Sequence, residues 1–297
     1  CLVTGAAGMI GRQVVRLLRE AGADVEPADA RSLAGQTILL ADLCHLDLCR
    51  GITQNRDFVF HVAGKKGSAK DTHEHASRYL APMLQMDANI LRACAENGVP
   101  RLLYTSSIGA YSSLARLHAL TEQDAQVGIP MDIPGWAKRM GELQVSCYAR
   151  EYGLKWSSVR LAQIYGTGDN FTEDAMFIPA LLTKVKRGDN LVKLLGDGLD
   201  VRDYLYAEDA AEGIVQAALF GHPGETVNIG SGQRYTIRQV AESLAMIVPF
   251  QYEFTGKSSL YRKRVLCVRR AKEWLGWEPK MTLMEGLRRT WEWLKGQ

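Results

Sequence analysis

No apolar run in these 297 residues reaches the roughly 18 consecutive positions that a membrane-crossing helix needs, so no membrane partner is expected. Cysteine is scarce and unpatterned. Cys1, Cys44, Cys49, Cys94, Cys147 and Cys267 form no C-x-x-C pair and lack the density of a disulfide scaffold. Reduced thiols in the cytoplasm are the expectation. There is no basic tail and no block of one charge: the net charge is +3, with acids and bases interleaved, which argues against nucleic acid as a partner. Internal repeats and low-complexity linkers are absent. An initial methionine is absent too, and CLVTGAAG opens almost inside a strand, so a few further residues are expected upstream. What is present is an ordinary globular balance, 46% hydrophobic and 23% charged. A chain of this length buries a sizeable core without disulfide or metal.

The first half alternates short apolar runs with helical patterns. Leu2-Val3-Thr4 reads as a strand. From Met9 to Ala21 the apolar positions Ile10, Val14, Leu17, Leu18 and Ala21 share one helical face, which Gly22 ends. Strands are expected at Asp24–Ala28, Thr37–Leu40, Phe58–Val62, Arg101–Thr105 and Trp156–Leu161, and helices at Pro82–Glu96 and Gly135–Glu151. This alternation predicts an α/β fold with a parallel sheet covered by helices on both faces. After Tyr165 the texture changes to Gly-rich turns and shorter elements. Thr236-Ile-Arg-Gln239 has capping-box spacing and opens a helix through Met246, and another helix starts near Thr282. Two regions are therefore expected. Residues 1–165 form the first. Residues 166–297 form a smaller mixed α/β region, with some segments returning to the sheet, that closes over the carboxyl ends of the strands. Ligands bind there in open α/β sheets.

Gly5-Ala-Ala-Gly8-Met9-Ile10-Gly11 joins the first strand to the first helix with G-x-x-G-x-x-G spacing. Such a loop turns tightly, lets backbone approach a pyrophosphate and presents the helix N-terminus to it. Asp29 follows 18 residues after Gly11, where a carboxylate can bond adenosine ribose hydroxyls. This is the pattern of a Rossmann doubly wound dinucleotide-binding domain. Asp29 favours NAD. Arg31 is the kind of group that would hold the extra phosphate of NADP, so NADP stays open.

The loop, together with Tyr104-Thr-Ser-Ser107-Ile-Gly-Ala-Tyr111, resembles the extended short-chain dehydrogenase/reductases, and within them the NAD-dependent epimerase/dehydratase family. The resemblance runs through nearly the whole chain. Ile164-Tyr-Gly166, Asp169-Asn-Phe171, Phe177-Ile-Pro-Ala-Leu181 and Arg202-Asp-Tyr-Leu-Tyr-Ala-Glu-Asp209 are most similar to its GDP-fucose synthase-like members. It implies an NAD(P)-dependent epimerase, dehydratase or 4-keto reductase acting on a nucleotide sugar. It further implies an adenine contact at Asp42 and Leu43, and cofactor-lining positions at Ala63, Gly64 and Lys66. The catalytic serine would be Ser107. Lys138, in Ala137-Lys-Arg-Met-Gly-Glu142, would be the essential lysine that binds the nicotinamide ribose. Gln163, Lys184 and Arg202 would form the substrate side, the two cations gripping the nucleotide diphosphate. A homodimer is implied as well, built from a four-helix bundle of Pro82–Glu96 and Gly135–Glu151. Met83, Leu84, Leu91, Met140, Leu143 and Tyr148 would supply its core and partner faces.

The sequence departs from the family's catalytic pattern. A tyrosine belongs four residues before the lysine, where Pro134 stands, and no tyrosine lies between Tyr111 and Tyr148. The cysteine and histidine that GDP-fucose synthases use for epimerisation correspond to Gly109 and Met176. An alternative therefore stands beside the enzyme: a non-catalytic, regulatory dinucleotide-binding protein that kept the fold. If the chain is an enzyme, the proton would come from Asp132, Lys66, an ordered water or the substrate. A reductase of small carbonyl compounds is disfavoured by Lys184 and Arg202. Asp71-Thr-His73-Glu74-His75 reads as a solvated loop, because histidines two apart do not share a helix face. Tyr261-Arg-Lys-Arg264 reads as a phosphate patch or a charged edge, with the edge favoured slightly.

Overall fold

The computed structural model describes residues 1–112, 118–256 and 263–297. The first half runs β1 (Leu2–Thr4), α1 (Met9–Glu20), β2 (Glu26–Asp29), β3 (Leu39–Leu40), α2 (Leu46–Thr53), β4 (Val59–His61), α3 (Ala69–Glu74), α4 (Ser77–Glu96), β5 (Arg101–Ser107), α5 (Ile133–Tyr152) and β6 (Lys155–Leu161). There follow β7 (Gln163–Tyr165), α6 (Phe177–Arg187), β8 (Val192–Leu194), β9 (Val201–Arg202), β10 (Tyr204–Tyr206) and α7 (Ala207–Phe220). The chain closes with β11 (Thr226–Ile229), β12 (Tyr235–Thr236), α8 (Ile237–Ile247), β13 (Tyr252–Phe254), β14 (Lys263–Arg264), α9 (Arg269–Leu275) and α10 (Leu283–Lys295).

Seven strands form one sheet in the order β11-β6-β5-β4-β1-β2-β3, and every pairing in it is parallel. The order reverses between β1 and β4, the switch point where a doubly wound sheet opens a crevice. One apolar layer, with Val14, Leu18, Ile214 and Ala217, packs α1 and α7 on one face. Another, with Ile52, Ile90, Leu91 and Val145, packs α2, α4 and α5 on the other. A third cluster joins α6, α8 and α10 around Leu182, Leu244 and Leu287. No helix among the described residues is long and apolar enough to cross a membrane.

Two local expectations are corrected. Residues 69–74 form α3 rather than a loop, because the Ser68 side chain caps it, accepting from the Asp71 N–H at 3.1 Å. The helix expected to start at Pro82 begins at Ser77 and carries Pro82 inside it. A proline there leaves the carbonyl four residues back without its donor. That carbonyl is Arg78 O, and the Lys65 ammonium takes it at 2.9 Å. Of the basic run at 261–264, Tyr261 and Arg262 lie outside the described residues, while Lys263 and Arg264 make β14, parallel to β9.

Candidate active site

The glycine loop lies at the switch point. Gly5 has φ +71°, and a Cβ there would sit 2.8 Å from the Ala63 backbone on the neighbouring segment after β4. A Cβ at Gly11 would overlap the Gly5 carbonyl, 2.7 Å from its carbon. Both positions therefore demand glycine, for conformation and for close approach. Gly8 caps α1 without a side-chain bond, and no acid stands in the first turn. The first N–H groups, around Met9, Ile10 and Gly11, are thus left to an outside acceptor, where the helix dipole favours an anion. Asp29 is the last residue of β2. Its carboxylate is fixed beside the loop by the Ala7 N–H at 3.0 Å and the Arg31 N–H at 3.0 Å. The Arg31 side chain lies 3.6 Å from it and is 73% exposed. Asp42 is exposed and accepts from the Cys44 N–H at 2.9 Å. Leu43 is buried in the layer beneath.

Ser107 ends β5. Its Oγ accepts the Gly109 N–H at 3.1 Å, which leaves its O–H free to donate. Lys138 comes from the second turn of α5 and is 8% exposed. Its Nζ lies 4.7 Å from the centroid of the Tyr104 ring and has no hydrogen-bond partner among the described residues. It reaches the carboxyl end of β4, where a Cβ at Gly64 would lie 3.6 Å from it. Beneath it runs a buried chain. Tyr104 donates to Asp87 Oδ2 at 2.6 Å, His61 Nε2 lies 2.9 Å from Asp87 Oδ1, and His61 Nδ1 lies 2.8 Å from Thr4 Oγ1. Burial opposes the charge on Asp87, but Lys138, His61 and Tyr104 hold its pKa below the ordinary carboxylate value. Burial pushes the Lys138 pKa down, against the pull of Asp87 and Glu142.

Pro134 occupies the first turn of α5, where a proline is tolerated. Asp132 is the N-cap of α5, and its Oδ1 accepts the Gly135 N–H at 2.8 Å. Lys66 Nζ is paired with Asp169 at 2.9 Å, joining the segment after β4 to the loop before α6. The Ser68 N–H to Asp174 O bond, 3.1 Å, ties the same two segments.

On the substrate side, Gln163 begins β7 and is half-buried. Lys184 lies in the last turn of α6, half-buried, with no ion pair among the described residues. Arg202 is 9% exposed, and its Nη2 meets Asp200 Oδ2 at 3.0 Å. Its neighbour Asp203 is fully buried and acts structurally. It accepts the N–H groups of Ser231 at 2.7 Å, Gly232 at 3.2 Å and Leu266 at 3.2 Å, holding three loop segments together. Burial raises its pKa against those bonds.

Sequence reasoning missed several of these groups. Arg12, directly after the third glycine, donates to Ala7 O at 3.0 Å and folds its guanidinium over the loop against Gly168. Its pKa is lowered by burial and by Arg31. Its place in the motif could have flagged it. Asp87 could not have been found: it sits mid-helix in α4 and becomes a partner of Tyr104 and His61 only through packing. The same holds for Arg160 and Glu142, which form a bidentate pair at 2.8 and 2.7 Å beside Tyr111 and Asn228.

Known proteins resemble this chain along most of its length. The model of the NAD dependent epimerase/dehydratase family matches residues 1–230. GDP-mannose 3,5-epimerase 1 of Oryza sativa subsp. indica is 28% identical over 312 residues, covering 99% of this chain and 81% of the relative. GDP-L-fucose synthase of Escherichia coli (strain K12) is 26% identical over 311 residues, covering 98% and 95%. Among solved structures, UDP-glucose 4-epimerase of Thermotoga maritima with UDP-glucose superposes at a TM-score of 0.88, with 30% identity over 99% of this chain and 98% of that one. The Thermus thermophilus UDP-glucose 4-epimerase in complex with NAD gives 0.88 at 26% identity, covering 99% and 98%. With a family match over well more than half its length and a glycine loop, placed acid and buried lysine in one crevice, the chain belongs to the NAD-dependent epimerase/dehydratase family.

Proposed function

We propose that the protein is a nucleotide-sugar epimerase, dehydratase or 4-keto reductase that binds NAD in preference to NADP. The observation that carries the reading is Lys138, a buried amine with no hydrogen-bond partner among the described residues, beside Gly64 and near a glycine loop whose Gly5 and Gly11 admit no Cβ. An orphaned polar atom in such a place fits a ligand that supplies hydroxyl groups. When bound, the dinucleotide supplies hydride acceptance and return. The chain does the rest. The α1 N-terminus takes the pyrophosphate, Asp29 the adenosine ribose, and Asp42 and Leu43 border the adenine. Ala63, Gly64 and Lys138 face the nicotinamide end. Ser107 donates its free O–H to the reacting sugar oxygen. Lys184 and Arg202 neutralise the diphosphate, a charge of about −2 that suits two cations. Asp200 already engages Arg202, so Lys184 is the readier of the two.

Calorimetry with NAD and NADP tests the cofactor, and a panel of GDP-, UDP- and dTDP-hexoses read by mass spectrometry tests the reaction. Binding of neither dinucleotide would remove the reading. Pro134 favours a second reading, a dinucleotide-binding protein without turnover, and tight NAD binding with no sugar converted would select it.

We also infer a homodimer. The exposed large apolar residues of this helix pair lie on α5. Met83 and Leu91 are buried within the subunit, whereas Trp136, Met140 and Leu143 are exposed at 40%, 39% and 55%. With exposed Cys147 they fall at i, i+4, i+7 and i+11, one continuous helical stripe. Sedimentation at micromolar concentration is expected to give a dimer, and Leu143→Glu a monomer. A native monomer would refute the pairing.

A further inference from the structure

We propose that Lys138 itself, rather than a tyrosine, takes and returns the proton of the reacting sugar hydroxyl. The inference rests on the reading of the cleft given above. It follows from which groups are already engaged. Asp132 caps α5 and Lys66 pairs with Asp169. The Tyr104 hydroxyl donates to Asp87 and is fully buried, with its pKa well above the ordinary phenol value. Tyr111 donates to Asn228 at 2.5 Å and Tyr79 donates to Asp71. Pro134 has no proton to give. Lys138 alone of these has a reactive nitrogen with no hydrogen-bond partner among the described residues, and that nitrogen lies beside Gly64, 3.6 Å from where a Cβ would stand.

The surroundings suit an amine that changes charge. A buried ammonium with no acceptor is costly, and losing a proton relieves the cost. Two carboxylates face it: Asp87 from α4 and Glu142 from its own helix. Neither is fully available. Asp87 is shared between Tyr104 and His61, and Glu142 is held at both oxygens by Arg160. Tyr104 of β5 offers only its ring face. These groups support the protonated state without locking it, so burial wins and the amine's pKa falls. In the forward direction the hydroxyl O–H bond breaks as an N–H bond forms, which turns the neutral amine into ammonium. The oxygen keeps that electron pair and forms the carbonyl bond as the carbon gives up its hydride to the oxidised dinucleotide. The reverse step returns proton and hydride. Ser107 holds the oxygen throughout.

Two measurements on the full-length protein test this. The first is an NMR titration of protein labelled at lysine Cε, with the Lys138 signal assigned through Lys138→Arg. It needs no turnover and no variant under test. The Lys138 signal is expected to titrate below the surface lysines of the same spectrum, and a midpoint at or above theirs overturns the proposal. The second is Lys138→Arg assayed for dinucleotide affinity and for turnover on the nucleotide-hexose panel. Arginine keeps the charge but does not deprotonate. If the amine exchanges the proton, turnover at saturating dinucleotide falls by about 10²–10⁴-fold, the usual worth of acid–base catalysis, beyond any loss of dinucleotide affinity. The native rate should also rise with pH through the titrated midpoint in the oxidative direction. Turnover that survives in Lys138→Arg overturns the proposal and leaves the reading of the cleft intact. A native protein that binds no dinucleotide overturns both.

Discussion

Replacing Arg160 with methionine is expected to lower the unfolding free energy by about 3–5 kcal/mol, the usual cost of removing one partner from a buried ion pair. Arg160 and Glu142 are 8% and 13% exposed at their side chains, and their two hydrogen bonds measure 2.8 and 2.7 Å. Arg160 also donates to Glu122 O at 2.8 Å and to the Tyr111 hydroxyl at 3.3 Å. Methionine fills comparable volume but leaves Glu142 buried and unpaired, and strips a donor from two further groups. The measurement is urea unfolding followed by fluorescence: the midpoint should fall with little change in slope. The double variant Arg160→Met with Glu142→Leu should recover most of the loss, because a well-packed apolar pair costs no charge desolvation. A loss below about 1 kcal/mol in the single variant would mean that solvent reaches the pair, in the manner of surface bridges.

Gly11→Ala is the second large effect, and it falls on binding. The added methyl would overlap the Gly5 carbonyl oxygen and press on its carbon at 2.7 Å. Both are backbone atoms at the turn, so no side chain can swing away. Overpacking of this kind costs about 1–3 kcal/mol, and relief requires opening the loop that would hold the pyrophosphate. Dinucleotide affinity should therefore fall by at least about tenfold, equivalent to roughly 1.4 kcal/mol. Gly51→Ala is the control. It lies in α2 with nothing within 4 Å of the new methyl, and it should stabilise the fold by about 0.5–1 kcal/mol through helix propensity. Equal dinucleotide affinity in Gly11→Ala and the native protein would show that the loop does not carry the phosphate.

Much of the fold could be read locally. The strand before Gly5, the helix from Met9 and the acid at Asp29 lie within one short stretch, and their spacing alone fixes a strand–turn–helix–strand unit. Helix limits were legible where capping residues mark them, as at Thr236 and Thr282, each of which accepts an N–H three residues on. They were not legible at Pro82. There the helix runs through the proline, and Lys65, 17 positions earlier, takes the Arg78 carbonyl that the proline leaves without its donor. The loop expected at 71–75 falls largely within a helix, through the Ser68 cap and through Asp71, which binds both His75 and Tyr79.

The candidate site divides in the same way. Sequence alone determined the glycine cradle, the acid, the serine, the lysine and the proline in place of tyrosine, because each is a residue type at a fixed spacing along one segment. It could not determine which of these groups are free to act. For two of them it is decided by neighbours far away in the chain, Asp169 on Lys66 and Asp87 with Tyr104 around Lys138, whereas Arg202 and Asp132 are engaged locally, by Asp200 and by the α5 N-terminus. Local spacing sets what a side chain is. Its charge state and its unfilled hydrogen bonds depend on burial and on partners brought together by the sheet, and only the tertiary structure supplies those.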